Sequence, residues 1–102
     1  MIRISIDRQP THPGEMLLME FLEPMGLTQR QLADAIHVPY QRINEIINGK
    51  RSVTPATALR LARFFGNTPD FWMSLQLRFD LYITQAIEGG ELAKIEPYQK
   101  AG

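Results

Sequence analysis

The 102-residue sequence contains no cysteine, which excludes disulfide bonds and thiolate metal ligands. Its two histidines, His12 and His37, do not lie near acidic residues at the spacing of a metal site. No apolar run approaches the roughly 18 residues of a membrane-spanning helix, and residues 1–10 lack the apolar stretch of a signal peptide. We therefore expect a cytoplasmic protein with no metal, no cofactor and no membrane partner.

Catalytic patterns are also missing. No nucleophile, base and orienting residue form a recognisable set, and there is no glycine-rich phosphate loop. We therefore predict that the chain is not an enzyme and has no catalytic residues. Because 44% of the residues are hydrophobic, the chain is expected to fold, and its length suits one small domain with a single core.

The net charge is zero, but the charges are distributed unevenly. Residues 37–66 contain five cations and one acid, a net charge of +4, whereas residues 11–36 contain four acids and one cation, a net charge of −3. The five cations are Arg42, Lys50, Arg51, Arg60 and Arg63. A basic segment of this kind is typical of contact with nucleic-acid phosphates. For Arg60 and Arg63 alone, a solvated helix face is an equal alternative.

The most informative stretch is residues 28–51, which predicts two short helices separated by a tight break. Thr28 is a good N-cap, and Gln31 follows it at the spacing of a capping box. The sequence His-Val-Pro at residues 37–39 ends the first helix, because a residue before proline is pushed out of the α region. The same proline has a preset φ that suits the first turn of the next helix. Asn48-Gly49 ends that helix, since glycine tolerates positive φ.

The second helix of this pair has one apolar side and one polar side. Ile43, Ile46 and Ile47 lie three and four residues apart and are expected to point inward. The outward side consists of Tyr40, Gln41, Arg42, Asn44 and Glu45. Two helices joined by such a turn form a helix-turn-helix unit, whose second helix presents side chains to base edges in the DNA major groove. A plain helix hairpin within a helical bundle is the alternative.

The flanking segments predict three further helices, and the whole fold is expected to be all-α. A proline marks the start of each one, at Pro13, Pro55 and Pro69. His12 is expected to have a capping or surface role. The last helix is predicted to run from residue 69 to about residue 87, before Gly89-Gly90. The predicted parts are a short extended arm or frayed end at residues 1–10, a five-helix domain at residues 11–87 and a polar tail at residues 88–102.

The last predicted helix carries more apolar side chains than one buried face requires. An additional apolar patch marks a surface for a partner, so we predict a dimer interface on this helix. The predicted interface residues are Phe71, Trp72, Leu75, Leu77, Phe79, Leu81 and Tyr82. The alternative is a helix buried within its own domain.

Several segments together resemble the HigA/VapI-type antitoxins, a group of Xre-type, phage-repressor-like helix-turn-helix proteins. These segments are HPGE at 12–15, TQRQLADAI at 28–36, VPYQRINEI at 38–46, NGKR at 48–51, TALRLA at 57–62, FWMSLQ at 71–76 and DL at 80–81. The resemblance covers roughly residues 11–83. It implies a homodimer that represses its own operon and has two partners, operator double-stranded DNA and a small basic HigB-type toxin. Such toxins are RNases of the RelE-like fold that cut messenger RNA on the ribosome.

The resemblance also implies which residues contact DNA. Gln29 begins the helix that crosses the backbone, Gln41 and Arg42 have the chemistry to pair with adenine and guanine, and the loop after the second helix meets phosphate. The implied DNA-binding residues are Gln29, Tyr40, Gln41, Arg42, Asn44, Glu45, Asn48, Lys50 and Arg51. Tyr40 departs from the small polar residue of many Xre proteins, which leaves the first base contact open. A freestanding Xre-type transcriptional repressor without a toxin partner is the alternative function.

Overall fold

The structure is a computed structural model that describes residues 9–99, and within this range the chain forms five helices and no strand. Helix α1 covers residues 13–25 and consists of Pro13–Met16, a π-helical segment Leu17–Leu22, and Glu23–Met25. The other helices are α2 (Gln29–Ile36), α3 (Tyr40–Ile47), α4 (Pro55–Phe65) and α5 (Pro69–Leu92). The predicted all-α, five-helix class is therefore confirmed. Most of the predicted N-terminal arm, residues 1–8, lies outside the described residues.

No helix in the described part of the chain is both long and apolar enough to cross a membrane.

Polar side chains cap the helix N-termini as the sequence predicts. Thr28 Oγ1 accepts the Gln31 N–H at 3.0 Å, and Gln31 Oε1 accepts the Thr28 N–H at 2.9 Å, which completes the capping box of α2. Thr54 and Thr68 cap α4 and α5 in the same position relative to a following proline. His12 Nδ1 accepts the Gly14 N–H at 2.9 Å, so the expected capping role of this histidine is confirmed.

The break between α2 and α3 lies where the sequence predicts it, but its geometry differs. Helix α2 ends because His37 adopts a left-handed conformation with φ of 61°, two residues before the proline. Pro39 is the N-cap of α3 in extended geometry and does not begin the first helical turn. The Arg60 guanidinium on α4 donates to the carbonyl oxygens of Ile36 at 2.8 Å and His37 at 3.5 Å, and so satisfies the end of α2.

The hydrophobic core is shared by all five helices. Its fully or almost fully buried members include Leu17, Leu22, Leu32, Ala33, Ile36, Ile43, Ile46, Ala58, Leu61, Ala62 and Trp72. Trp72 is 0% exposed and its indole N–H donates to Asn67 Oδ1 at 3.0 Å. Because no part of Trp72 reaches the surface, its prediction as a dimer-interface residue is wrong. Phe71 and Leu75 are half-buried against the same core.

Helix α1 packs directly on the backbone of α3. A Cβ atom placed on Gly14 would lie 1.9 Å from the carbonyl oxygen of Ile46, so no residue with a side chain fits here without movement. This close approach fixes the position of α3 relative to α1. Gln76 on α5 fixes the loop after α3, because its Oε1 accepts the Val53 N–H at 2.8 Å.

Helix α5 is longer than the sequence predicts, since it continues through Gly89-Gly90 to Leu92. Glycine disfavours a helix by about 1 kcal/mol but stops one only where the backbone turns left-handed, and neither of these glycines has positive φ. Beyond Gln76 no side chain of α5 is fully buried. The radius of gyration of 16.9 Å exceeds the roughly 13 Å of a compact chain of this length. The second half of α5 therefore extends away from the core.

Candidate nucleic-acid interface

The burial of Ile43 and Ile46, both 0% exposed, orients α3. With these side chains in the core, the opposite side of the helix faces solvent, and Tyr40, Gln41 and Asn48 are exposed. Asn44, Glu45 and Arg42 are partly exposed beside them. The predicted outward side of α3 thus forms one continuous polar surface, which we call the α3 face.

One hydrogen-bonded group on the α3 face is centred on Asn44. The Asn44 amide nitrogen donates to Gln29 Oε1 at 3.0 Å and lies 3.5 Å from the Tyr40 hydroxyl. Asn48 Nδ2 donates to Asn44 Oδ1 at 3.2 Å. These bonds tie the first residue of α2 to the whole length of α3. The two helices of the unit therefore share a single polar surface.

A second group is centred on Glu45. Its carboxylate accepts one hydrogen bond from Arg51 Nε at 2.8 Å and one from Gln41 Nε2 at 3.1 Å. The bond from Arg51, and to a lesser extent that from Gln41, lowers the pKa of the Glu45 carboxyl below its ordinary value. Glu45 is therefore ionised at neutral pH. The Lys50 N–H also donates to the Glu45 carbonyl at 2.8 Å, which folds the loop back onto α3.

Arg42 and Lys50 differ from the other predicted DNA-binding residues in the bonding of their side chains. Among residues 9–99, no side-chain hydrogen bond or salt bridge involves either of them. Lys50 is exposed, and Arg42 is half-buried along its stem. Both cations are thus available to an anionic partner.

Sequence reasoning missed Arg30. Its guanidinium lies 4.6 Å from the centroid of the Tyr40 ring, in the geometry of a cation–π contact between α2 and α3. The only sequence signal is its place beside Gln29 in the first turn of α2, where a side chain projects toward the start of α3. Arg30 adds a further cation to this surface and holds the Tyr40 ring.

Arg60 and Arg63 lie elsewhere. They line a groove of about 690 Å³ between the end of α2 and α4, together with the exposed Leu59 and Phe64. Because the Arg60 guanidinium bonds the carbonyls that end α2, its role is structural. The net positive charge of residues 37–66 is therefore only partly located on the α3 face.

The described residues contain no group of three or more His, Cys, Asp or Glu side chains that could hold a metal ion.

Comparison with known proteins places this arrangement in a family. The sequence model of the helix-turn-helix family matches residues 18–72, which include α2, α3 and α4. The chain is 47% identical over 74 residues to virulence-associated protein I of Dichelobacter nodosus, covering 72% of this chain and 68% of that protein. It is 45% identical over 78 residues to antitoxin HigA-1 of Vibrio cholerae, covering 76% of this chain and 73% of that protein. This chain belongs to the HigA-type antitoxins of the Xre-like helix-turn-helix family.

A solved structure of a HigA-type antitoxin also matches the whole arrangement. The Pseudomonas aeruginosa antitoxin HigA, solved with the higBA promoter, has a TM-score of 0.85 and 35% identity, and the match covers 89% of this chain and all of that one. The resemblance inferred from the sequence is therefore confirmed. As a HigA-type protein, the chain is a DNA-binding transcriptional regulator whose helix-turn-helix unit is formed by α2 and α3.

Proposed function

We propose that this chain is a homodimeric repressor of its own operon and an antitoxin that binds and neutralises a small basic HigB-type toxin. The DNA-binding part of the proposal is supported by the arrangement of side chains on the α3 face. Seven of the nine predicted DNA-contact residues join in two hydrogen-bonded groups there, and the side chains of the other two, Arg42 and Lys50, have no bonds within the described chain. The similarity to an antitoxin solved with its promoter supports DNA binding.

The chemistry of the α3 face suits duplex DNA. Gln41 and Arg42 are the residue types that pair bidentately with adenine and guanine in the major groove. Lys50 and Arg51 follow the helix and suit phosphate contact. Gln29, at the N-terminus of α2, presents backbone N–H groups as well as its side chain to a neighbouring phosphate.

The dimeric part of the proposal is supported by α5. Leu77 is 45% exposed, Leu81 36% and Ile83 37% on a helix that extends beyond the core. Two operator half-sites lie about 34 Å apart, or a multiple of this, so that two recognition helices are needed to occupy them. Pairing through the outer side of α5 would cover the apolar residues and supply the second α3. Trp72 takes no part in this interface, since it is buried.

The toxin-binding part is supported by the similarity to proteins named as antitoxins. The decisive experiment expresses the chain together with the product of the neighbouring gene, purifies the complex and footprints it on their shared promoter. A stable complex with a small basic protein, together with protection of two half-sites, is expected. Promoter protection without such a partner would instead favour a freestanding Xre-type repressor, and absence of protection would refute the DNA-binding proposal.

A further inference from the structure

Glu45 is the one acidic side chain on the α3 face, and both of its carboxylate oxygens are already in use. One accepts Arg51 Nε at 2.8 Å and the other accepts Gln41 Nε2 at 3.1 Å. The pair with Arg51 lies at the surface, where the two side chains are 27% and 47% exposed. A surface pair of this kind contributes little to folding, so its position among DNA-contact residues calls for a different explanation.

The two donors that Glu45 holds are the ones that the proposed function requires. Gln41 needs its amide group free to pair with adenine, and Arg51 needs its guanidinium free to meet phosphate. An ionised carboxylate only accepts hydrogen bonds. In the free protein the Glu45 carboxylate therefore accepts the hydrogen bonds that Gln41 would donate to a DNA base edge and Arg51 to a phosphate.

Once Gln41 and Arg51 turn to DNA, the Glu45 carboxylate loses both partners. It then faces a polyanion and repels phosphate, and it cannot bond the acceptor atoms of guanine or the thymine carbonyl. The cytosine amino group is a donor in the major groove that a glutamate accepts well. Adenine also presents an amino donor, but its N7 acceptor lies beside that donor and repels a carboxylate, so a sequence that presents the cytosine amino group compensates the released carboxylate best.

We propose that Glu45 is a specificity-determining residue: its carboxylate holds Gln41 and Arg51 in the free protein and releases them at low cost only onto an operator that offers it a cytosine amino group. This inference rests on the proposed function, because it assigns a selective role to one residue of the proposed interface. On random DNA most sites do not present a cytosine amino group opposite Glu45, so the freed carboxylate stays unpaired at most of them, which weakens binding there.

The test compares Glu45→Gln with wild type on two duplexes of equal length, the promoter of its own gene and a random sequence, over a series of salt concentrations. Glu45→Gln removes the charge, and the neutral amide oxygen that remains holds Arg51 more weakly than the carboxylate does. We expect affinity for random DNA to rise at least about fivefold, affinity for the promoter to change by less than about threefold, and the salt dependence on random DNA to steepen by about one ion. The ratio of the two affinities therefore falls.

Glu88→Gln is the matched control, since it makes the same charge change at an exposed position on the distant part of α5. It is expected to leave the ratio unchanged. A second measurement substitutes each C·G pair of the promoter in turn. At one pair in each half-site, wild type is expected to lose affinity and Glu45→Gln to be indifferent.

If Glu45→Gln weakens binding to both duplexes equally, Glu45 serves only to position Arg51 and the inference is overturned. The same holds if the mutant keeps the wild-type ratio. If wild type itself does not distinguish its promoter from random DNA, the proposed function has failed, and this outcome is separable because it is read from the wild type alone.

Discussion

The α3 face and the far half of α5 are both exposed, but they differ in how many of their side chains have partners within the chain. On the α3 face, Asn44 and Glu45 each connect several neighbours, so most polar groups already have partners. On α5, exposed apolar side chains extend from Leu77 to Leu92 and gain nothing from water. The first surface is organised within one chain, whereas the second leaves apolar side chains exposed.

This difference indicates how each surface would contribute to the free energy of binding. The side chains bonded to Asn44 are already fixed, so they lose little conformational freedom when DNA binds. An apolar helix that extends from the core gains stability only by association. The α3 face and the far half of α5 should therefore be separable by mutation.

The largest effect is expected at Gly14, which packs against the backbone of α3. Gly14→Ala places a Cβ atom against the Ile46 carbonyl, so α1 and α3 must separate. We expect a loss of about 3 kcal/mol of unfolding free energy, at the upper end for an overpacked core, and weaker operator binding. Chemical denaturation measures the first effect. Gly90→Ala is the control, because nothing lies within 4 Å of its Cβ position and a helical glycine-to-alanine change stabilises by up to about 1 kcal/mol.

The next effect concerns α5 alone. Leu77→Glu puts a charge on the exposed apolar side, which should give a folded monomer whose apparent operator affinity is lower on the order of a hundredfold, because the two half-sites are no longer linked. Light scattering and a binding titration measure the two results. Gln85→Glu adds the same charge at a polar, exposed position and should change neither. A Leu77→Glu protein that remains dimeric would place the interface elsewhere.

The starts of α2, α4 and α5 were predictable because they depend on local chemistry. Thr28 with Gln31, Thr54 and Thr68 are capping residues whose hydrogen bonds join positions three apart. Gly89-Gly90 was misjudged because composition does not reveal whether a glycine turns left-handed or remains helical. The structure brings the nine predicted DNA-contact residues together, and their contacts with DNA stay predictions.

Tertiary contacts explain the remaining differences. The sequence of α5 has more apolar residues than one buried face requires, but it does not show which of them face the core of the domain. For this reason the pattern predicts Trp72 at the dimer interface, although it lies in the core. The link between Gln41 and Glu45 has a spacing that a helix predicts. The link between Glu45 and Arg51 crosses the end of α3, where no regular spacing applies.

A smaller effect, confined to DNA binding, is expected at Arg42. Arg42→Ala should weaken operator binding by about 1–3 kcal/mol and leave the oligomeric state unchanged, since this residue makes no side-chain hydrogen bond among the described residues. Arg78→Ala, the same change at an exposed position on α5, should have no effect on the footprint. An unchanged footprint with Arg42→Ala would contradict the assignment of α3 as the recognition helix.

The smallest effect concerns His12, which joins α1 to α5. Its ring caps α1 next to Gly14 and packs edge-on against Phe79 of α5, with the ring centres 4.8 Å apart. Burial lowers the pKa of His12, and the carboxylates of Asp80 and Glu15 only partly oppose this. Protonation would also occupy the nitrogen that accepts the capping hydrogen bond.

Since the folded protein binds this proton less readily than the unfolded chain, the contribution of His12 to stability is complete above about pH 6.5 and declines as the pH falls toward its folded pKa. We expect a loss of at most about 1 kcal/mol, the usual value of an N-cap. His12→Asn keeps a capping oxygen that does not titrate, so the difference in unfolding free energy between pH 7.5 and 5.5 should be smaller in this variant. Equal differences in the two proteins would show that the contact of His12 between α1 and α5 is insensitive to protonation.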